Sequence, residues 1–392
     1  MGLSIAMFSD SALPVLNGVS VSIDALIREL RAQGCSVHLY TSAHSGRPGL
    51  EPNTYRFRAI ETPWTKGYPL AYPPFWRMLQ TFRTHRYDLI HTHTPFTVGF
   101  VGLRWAESHG LPVVSTYHTL YDRYAHYIPF FPRRFIRFKI AKHTNWYYNR
   151  VDHVVVPSEA ALKWLRRHSV DTPASVIPTG APALRMLDRA DTRLRLGMRP
   201  EERVLLYVGR LAKEKNLDTL IRACSLVFAE DARARLWLVG DGPYREDCVR
   251  LVRQLGIGDR VRFVGFVPRE EVDPYYAAAD LFVFASVSET QGLVVQEAGA
   301  YGLPAVVVAS GGAGEAVRDG VNGLAVRNED VELAAACLRL MDDDDLYAHL
   351  SENARKVVRQ FGAPEMAKRM LEVYESTLRR ERKEHGVPLV VP

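Results

Sequence analysis

Five short apolar runs, Leu3–Phe8, Val37–Thr41, Leu89–His91, Val113–Thr116 and Val154–Val156, alternate with longer segments of helical spacing such as Val19–Gln33 and Val98–Ser108. Runs this short and this apolar suit strands buried on both faces, and a helix-length segment between them is what a parallel crossover requires. The alternation therefore restricts the chain to a parallel sheet layered by helices. It then starts again. Val204–Val208, Leu236–Val239, Val261–Val264, Leu281–Ala285 and Ala305–Val308 alternate with helical patterns from about Lys215, Tyr244, Arg269, Gly292 and Val331. Two doubly wound α/β domains follow, with the boundary between Gly180 and Arg203, where Pro178, Gly180, Pro182 and Pro200 punctuate a polar stretch. We place the first domain at 1–185, the second at 186–362 and a terminal segment at 363–392. In that segment Met366, Met370, Val373 and Tyr374 are spaced for one apolar helix face, expected to pack back on the first domain.

The chain of 392 residues is 47% hydrophobic, enough for two cores. No apolar run reaches the length of a membrane-spanning helix, and Leu3–Phe8 enters a strand pattern without a signal peptide, so we expect a cytoplasmic protein or one peripheral on the inner face of the cell membrane. Cys35, Cys224, Cys248 and Cys337 are scattered without metal-ligand or disulfide spacing, which suits buried, reduced thiols. The net charge of +6 hides an asymmetry: through Arg185, 21 Lys and Arg stand against 11 Asp and Glu, and beyond it 29 stand against 33. The basic excess lies wholly in the first half, which suggests an anionic surface as partner.

Ligands of open α/β sheets bind beyond the carboxyl ends of the strands, so the loops there carry the chemistry. After Leu281–Ala285, Glu289 and Glu297 stand eight apart, one in a loop and one two helical turns on. The amides of Gly292, Leu293 and Val294 lie between them at a helix start, where unpaired N–H groups and the helix dipole favour phosphate or hydroxyls. An isolated pair of this kind reads more simply as a helix cap and an exposed acid; the neighbouring loops change that reading. Arg210 and Lys215 follow the strand Val204–Val208, where two cations can balance a pyrophosphate without a metal. Gly240-Asp-Gly-Pro243 reads as turn chemistry. In the first domain the loop after Leu3–Phe8 leads to Gly18, which suits either a close backbone approach to a ligand or a simple turn. It is no GxGxxG fingerprint, which disfavours a nicotinamide enzyme.

In this order, Gly209-Arg210…Lys215, Gly240-Asp-Gly-Pro243, Val264-Gly-Phe-Val267 and Glu289…Glu297 resemble the retaining glycosyltransferases of family 4, over essentially the whole chain. The resemblance implies the GT-B fold, two Rossmann-like domains facing a cleft that closes on the donor to exclude water. It also implies a nucleotide-sugar donor and no cofactor or metal. Glu297 would bind the ribose hydroxyls; Glu289, Gly292, Leu293 and Val294 would hold the sugar and phosphate; Val267 would meet the base, and Gly18 would approach the donor from the first domain. Arg210 and Lys215 would stabilise the departing diphosphate, and His118 would line the reaction centre. With no acid in an obvious nucleophile position, retention by same-face attack is expected.

Asn17-Gly-Val19, His91-Thr-His-Thr-Pro-Phe96 and Thr116-Tyr-His-Thr-Leu-Tyr121 look like the branch that includes monoglucosyldiacylglycerol synthases, which implies UDP-glucose as donor and diacylglycerol as acceptor. Asp10, Asn17, His118, Tyr121 and Tyr124 are the acceptor-side residues expected on that basis. Phosphatidylinositol mannosyltransferases and family members with soluble acceptors share the donor motifs. Asp122 and Asp152 bracket a stretch without acids in which Phe135, Phe138, Lys139, Lys142 and Trp146 share one helix face, suited to an anionic bilayer, while Ile136, Ile140 and Tyr147 share another. A nucleotide-sugar epimerase would need the same donor cleft but no acceptor. A nucleic-acid-binding protein would leave the donor motif without a role, so no nucleic acid is expected as a partner.

Overall fold

The computed structural model describes residues 2–15, 17–43, 52–60, 69–121, 132–180, 185, 187–360 and 362–384, with backbone alone for 382–384. Contacts divide the chain into two units, Met1–Gly180 with Ala363–Pro392, and Ala181–Gly362.

The first unit runs β1 (Ser4–Ser9), α1 (Gly18–Ala32), β2 (Ser36–Ser42), β3 (Thr54–Phe57), the short pair β4 (Ala59–Ile60) and β5 (Leu70–Ala71), then α2 (Trp76–Arg83). It continues with β6 (Leu89–Thr92), α3 (Thr97–His109), β7 (Val113–Thr116), α4 (Arg133–Tyr148), β8 (His153–Val156), α5 (Glu159–Arg167) and β9 (Ala174–Val176). Apart from the antiparallel β4–β5 pair, these strands form one parallel sheet in the order β3-β2-β1-β6-β7-β8-β9.

Alternation along β1 explains why its residues are apolar throughout. Ala6 and Phe8 point into a core shared with α2 through α5, whereas Ile5 and Met7 point into a second core on the opposite face. That second core is closed by α1 and by the last helix of the chain, α14 (Ala363–Glu384), whose Met366, Ala367, Met370, Val373 and Tyr374 are buried there. The terminal helix thus covers a sheet face that would otherwise meet water.

The second unit runs α6 (Arg189–Arg195), β10 (Arg203–Val208), α7 (Leu217–Glu230), β11 (Ala234–Val239), α8 (Arg245–Gln254), β12 (Val261–Gly265) and α9 (Asp273–Ala278). Then follow β13 (Leu281–Phe284), α10 (Leu293–Ala300), β14 (Ala305–Val308), α11 (Gly311–Ala316), β15 (Gly323–Val326), α12 (Asp330–Asp342) and α13 (Asp344–Arg359). The sheet is parallel in the order β12-β11-β10-β13-β14-β15. In both units the strand order reverses direction once, at β1/β6 and at β10/β13. There the loops leaving two neighbouring strands diverge to opposite faces and leave a crevice at the carboxyl edge.

Two starts differ from the spacing-based expectation. A 3-10 turn at Lys213–Lys215 precedes α7, because Asn216 takes a left-handed conformation (φ 56°) that breaks helical continuity. Lys215 therefore stays in the loop. Arg269–Glu271 is likewise a 3-10 turn, and α9 begins only at Asp273 with Pro274 in its first turn. The acidic run Asp342–Asp345, by contrast, lies between two helical patterns in the sequence and does divide two helices, with Asp343 accepting from Leu346 N at 2.9 Å as the cap of α13. The edge strands β3 and β9 escaped the sequence pattern because each is short and only partly buried.

Candidate active site

In the second unit the loops after β10 and β13 meet at the switch point. Lys215 from the first pairs with Glu289 from the second, and Ser286 Oγ donates to the same Glu289 oxygen at 3.2 Å. Both charged side chains are largely shielded, 14% and 19% exposed, so the pair sits at the rim of the crevice and not out in solvent. Arg210 is exposed at the end of β10, with its carbonyl taking a hydrogen bond from Tyr207 Oη at 3.0 Å.

Glycines let these loops approach closely. Gly292, which starts α10, has φ +75°, and a Cβ there would lie 2.9 Å from Ala313 Cα. Gly312 N donates to Glu289 O at 2.8 Å, locking the loop after β14 onto the Glu289 loop. Gly240 N similarly donates to Gly265 O at 2.8 Å, and a Cβ on Gly240 would fall 2.0 Å from Gly209 O. The Gly240-Asp-Gly-Pro243 turn thus brings the ends of β10, β11 and β12 together. Val267 and the exposed Phe266 stand just beyond β12.

Glu297 has different company from Glu289. It lies inside α10 at 7% exposure, accepts from Tyr276 Oη at 2.7 Å and has Arg269 Nε 3.3 Å from its other oxygen. Arg269 also donates to Asp273 at 3.3 Å. Burial raises the Glu297 pKa above its ordinary value, while the Arg269 charge and the Tyr276 hydrogen bond oppose the rise. Neither Arg269 nor Tyr276 was singled out from the sequence. The only trace was position, since Arg269 directly follows the Gly-Phe-Val-Pro stretch after β12.

In the first unit the corresponding switch point, β1/β6, is bridged by Asp10. Its carboxylate accepts from Thr94 Oγ1 at 2.6 Å, from Thr97 Oγ1 and from Val98 N at 2.9 Å, so it seats on the start of α3 across the β1/β6 crevice. Burial raises its pKa although these donors pull the other way. Asn17 is the N-cap of α1, in a reciprocal capping box with Ser20, and donates to Ser11 Oγ at 2.7 Å. Gly18 opens α1 and is exposed. Asp10 and Asn17, expected on the acceptor side, are thus engaged in holding loops, whereas Tyr121 packs its ring 5.0 Å from Phe96. Tyr124 lies outside the described residues.

His118 follows β7, and its Nε2 is 3.0 Å from Nδ1 of the buried His93. Burial lowers the His118 pKa to about 4, so the ring is neutral at physiological pH.

On α4, Phe135 and Phe138 are 45% and 62% exposed, Lys139 lies 5.5 Å over the Phe135 ring, and Lys142 is exposed. Tyr147 lies in the core and Ile136 is buried. Trp146 belongs less to the open face than its spacing suggests. It is half-buried, stacked at 5.2 Å on Phe100 and covered by Arg150. No helix among the described residues is long and apolar enough to cross a membrane.

Residues 16–183 match the family described as Glycosyltransferase Family 4, and residues 188–357 match Glycosyl transferases group 1. An alpha-monoglucosyldiacylglycerol synthase of Streptococcus pneumoniae is 32% identical over 95% of this chain and 85% of its own length. A D-inositol 3-phosphate glycosyltransferase of Thermobispora bispora is 34% identical over 75% of this chain and 72% of its own. Among solved structures, sucrose-phosphate synthase from Thermosynechococcus elongatus superposes with a TM-score of 0.80 at 26% identity, covering 95% of this chain and 98% of that one.

Proposed function

Because the chain belongs to glycosyltransferase family 4, we propose that it moves a glucosyl group from UDP-glucose to the hydroxyl of a diacylglycerol-type lipid at an anionic membrane surface, with retention of configuration. The observation that carries the donor half is the Lys215–Glu289 pair across the β10/β13 switch point, beside the first amides of α10. A nucleoside diphosphate sugar satisfies each partner separately. Its diphosphate takes the Lys215 ammonium, and its sugar hydroxyls donate to the Glu289 carboxylate, so each member of the pair gains a partner of its own in the donor. Arg210 adds a second cation, Val267 meets the base and Glu297 the ribose. No metal cofactor enters this reading.

In the transfer, the bond from C1 to the β-phosphate oxygen breaks while the acceptor oxygen bonds to C1 on the same face. The acceptor proton passes to the departing phosphate. Charge grows on the diphosphate, which is where Arg210, Lys215 and the α10 amides act in the transition state. His118 is assigned to this step as a neutral ring.

The lipid half is supported by the near-full-length similarity to a glucosyldiacylglycerol synthase and by the α4 face of exposed Phe135 and Phe138 with Lys139 and Lys142. The assay offers radiolabelled UDP-glucose or GDP-mannose with diacylglycerol in anionic vesicles, or with soluble inositol phosphate. Glucose appearing in the lipid phase supports the reading; transfer only to inositol phosphate, or only from GDP-mannose, overturns it. Glu289→Ala lowers transfer by at least roughly a hundredfold while the protein stays folded. Survival of activity within a few-fold would remove Glu289 from the donor site.

A further inference from the structure

Three imidazoles cluster beneath the carboxyl edge of the first sheet. His91, at the end of β6, engages both ring nitrogens, with Tyr374 Oη of α14 at 2.6 Å from Nδ1 and Thr116 Oγ1 at 2.7 Å from Nε2. His93 lies 4.0 Å from it, ring centre to ring centre, and is 1% exposed. Its Nδ1 meets His118 Nε2 at 3.0 Å, and its Nε2 has no hydrogen-bond partner among the described residues.

We propose that His93 is a positioning residue that holds His118 in the neutral tautomer protonated on Nδ1, so that the ring serves transfer as a hydrogen-bond donor and not as a base. The inference rests on the role in transfer proposed above for His118.

Between two neutral imidazoles joined nitrogen to nitrogen, one must donate. If His118 Nε2 donated, His93 would carry its own proton on Nε2, a buried N–H with no acceptor. If His93 Nδ1 donates, its Nε2 is left as a bare lone pair. Buried donors without acceptors are rarer and costlier than under-used lone pairs, so the second arrangement prevails. It leaves His118 Nε2 as the acceptor and puts the His118 proton on Nδ1. Charged alternatives are opposed by burial, which keeps all three rings neutral near pH 7. The hydroxyl partners of His91 can each donate or accept, so His91 packs its ring against His93 and imposes no tautomer of its own.

The test is a long-range proton–nitrogen-15 correlation spectrum of the full-length protein labelled on histidine, near pH 7 and without acceptor. His118 protonated on Nδ1 and bare on Nε2 supports the proposal. The Nε2-protonated tautomer, or a fast mixture of the two, overturns it. His93→Asn keeps an N–H close to the Nδ1 position, whereas His93→Ala removes it. The tautomer and kcat are expected to survive in His93→Asn within about threefold, and kcat to fall roughly tenfold or more in His93→Ala with UDP affinity unchanged. Equal losses in both variants would make His93 merely structural and refute the proposal. The wild-type spectrum needs no variant to fold and no lipid to be glycosylated. A failed lipid assay with the expected tautomer would therefore overturn only the acceptor reading, and the reverse result only this one.

Discussion

Gly292→Ala places two strains on one residue of the donor half. At φ +75° and ψ 54° the backbone is left-handed, which costs an L-residue about 1–2 kcal/mol. The new methyl would also stand 2.9 Å from Ala313 Cα and 3.2 Å from Ala313 Cβ. Neither obstacle is a flexible side-chain end. The loop after β14 is held to the Glu289 loop by Gly312 N–H to Glu289 O, so relief requires moving both loops, at a further cost of about 1–3 kcal/mol. The gain from a stiffer unfolded chain, about 0.4–1 kcal/mol, offsets little of this. A net loss of roughly 2–4 kcal/mol corresponds to a midpoint about 5–15 °C lower for a unit of this size. The shift also displaces the amides of Leu293 and Val294 and the backbone carrying Glu289, so UDP affinity is expected to fall at least tenfold, or about 1.4 kcal/mol. Calorimetric melting and titration with UDP measure both effects. Gly258→Ala is the control: nothing lies within 4 Å of its added methyl and its φ is not in the left-handed range, so it is expected to change stability by no more than about 0.5 kcal/mol. A Gly292→Ala protein with wild-type melting and wild-type UDP affinity would refute the account of this loop.

Arg269→Met removes the cation beside two buried carboxylates, Glu297 and Asp273, and is expected to destabilise the second unit by about 3 kcal/mol; a denaturation midpoint within error of wild type would count against the network. In the first unit burial holds His38, His118 and His153 at about 4 and His91 at about 3, below the ordinary value of 6.5. The native rings stay neutral while the unfolded chain takes up protons, so stability is intact above pH 6.5 and drains away as the pH falls toward 4, about 3 kcal/mol for His118 alone. Melting points measured from pH 7 to 4 should fall steadily, and a flat profile would contradict the burial of these rings. Lys139→Glu with Lys142→Glu is expected to weaken co-sedimentation with anionic vesicles at least tenfold and leave UDP affinity unchanged; equal binding to vesicles would remove α4 as the docking face.

Much of the donor half was legible in the sequence because its signals are local. The strand Leu281–Phe284, the helix Leu293–Ala300 and the glycine between loop and helix all follow from periodicity and φ preference within a dozen residues. Glu289 in a loop and Glu297 in a helix follow from the same pattern. Their different surroundings do not. Spacing put both acids within reach of one ligand, yet the fold ties one to Lys215 and buries the other against Tyr276 and Arg269. On the acceptor side the sequence drew attention to Asp10 and Asn17, which prove to hold α3 and cap α1. A polar residue in a carboxyl-end loop looks the same in sequence whether it faces a ligand or a neighbouring helix start. His91 and His93 were visible as a motif, but nothing local says that one ends against Tyr374 and the other against His118.

By itself, the order of apolar and helical segments determined that this chain makes two parallel α/β units with its polar loops gathered at strand ends. Periodicity and crossover length are properties of short stretches, and they leave little else to build. Which loops face each other was decided only by strand order. β10 lies beside β13 and β1 beside β6, which is why Lys215 meets Glu289 and Asp10 meets Val98 across long separations in sequence. The terminal helix is a similar case: its apolar stripe was written locally, but the sheet face it covers was set by which strand residues, Ile5 and Met7, remained open. Contacts of that kind depend on the whole sheet being assembled, and no segment encodes them alone.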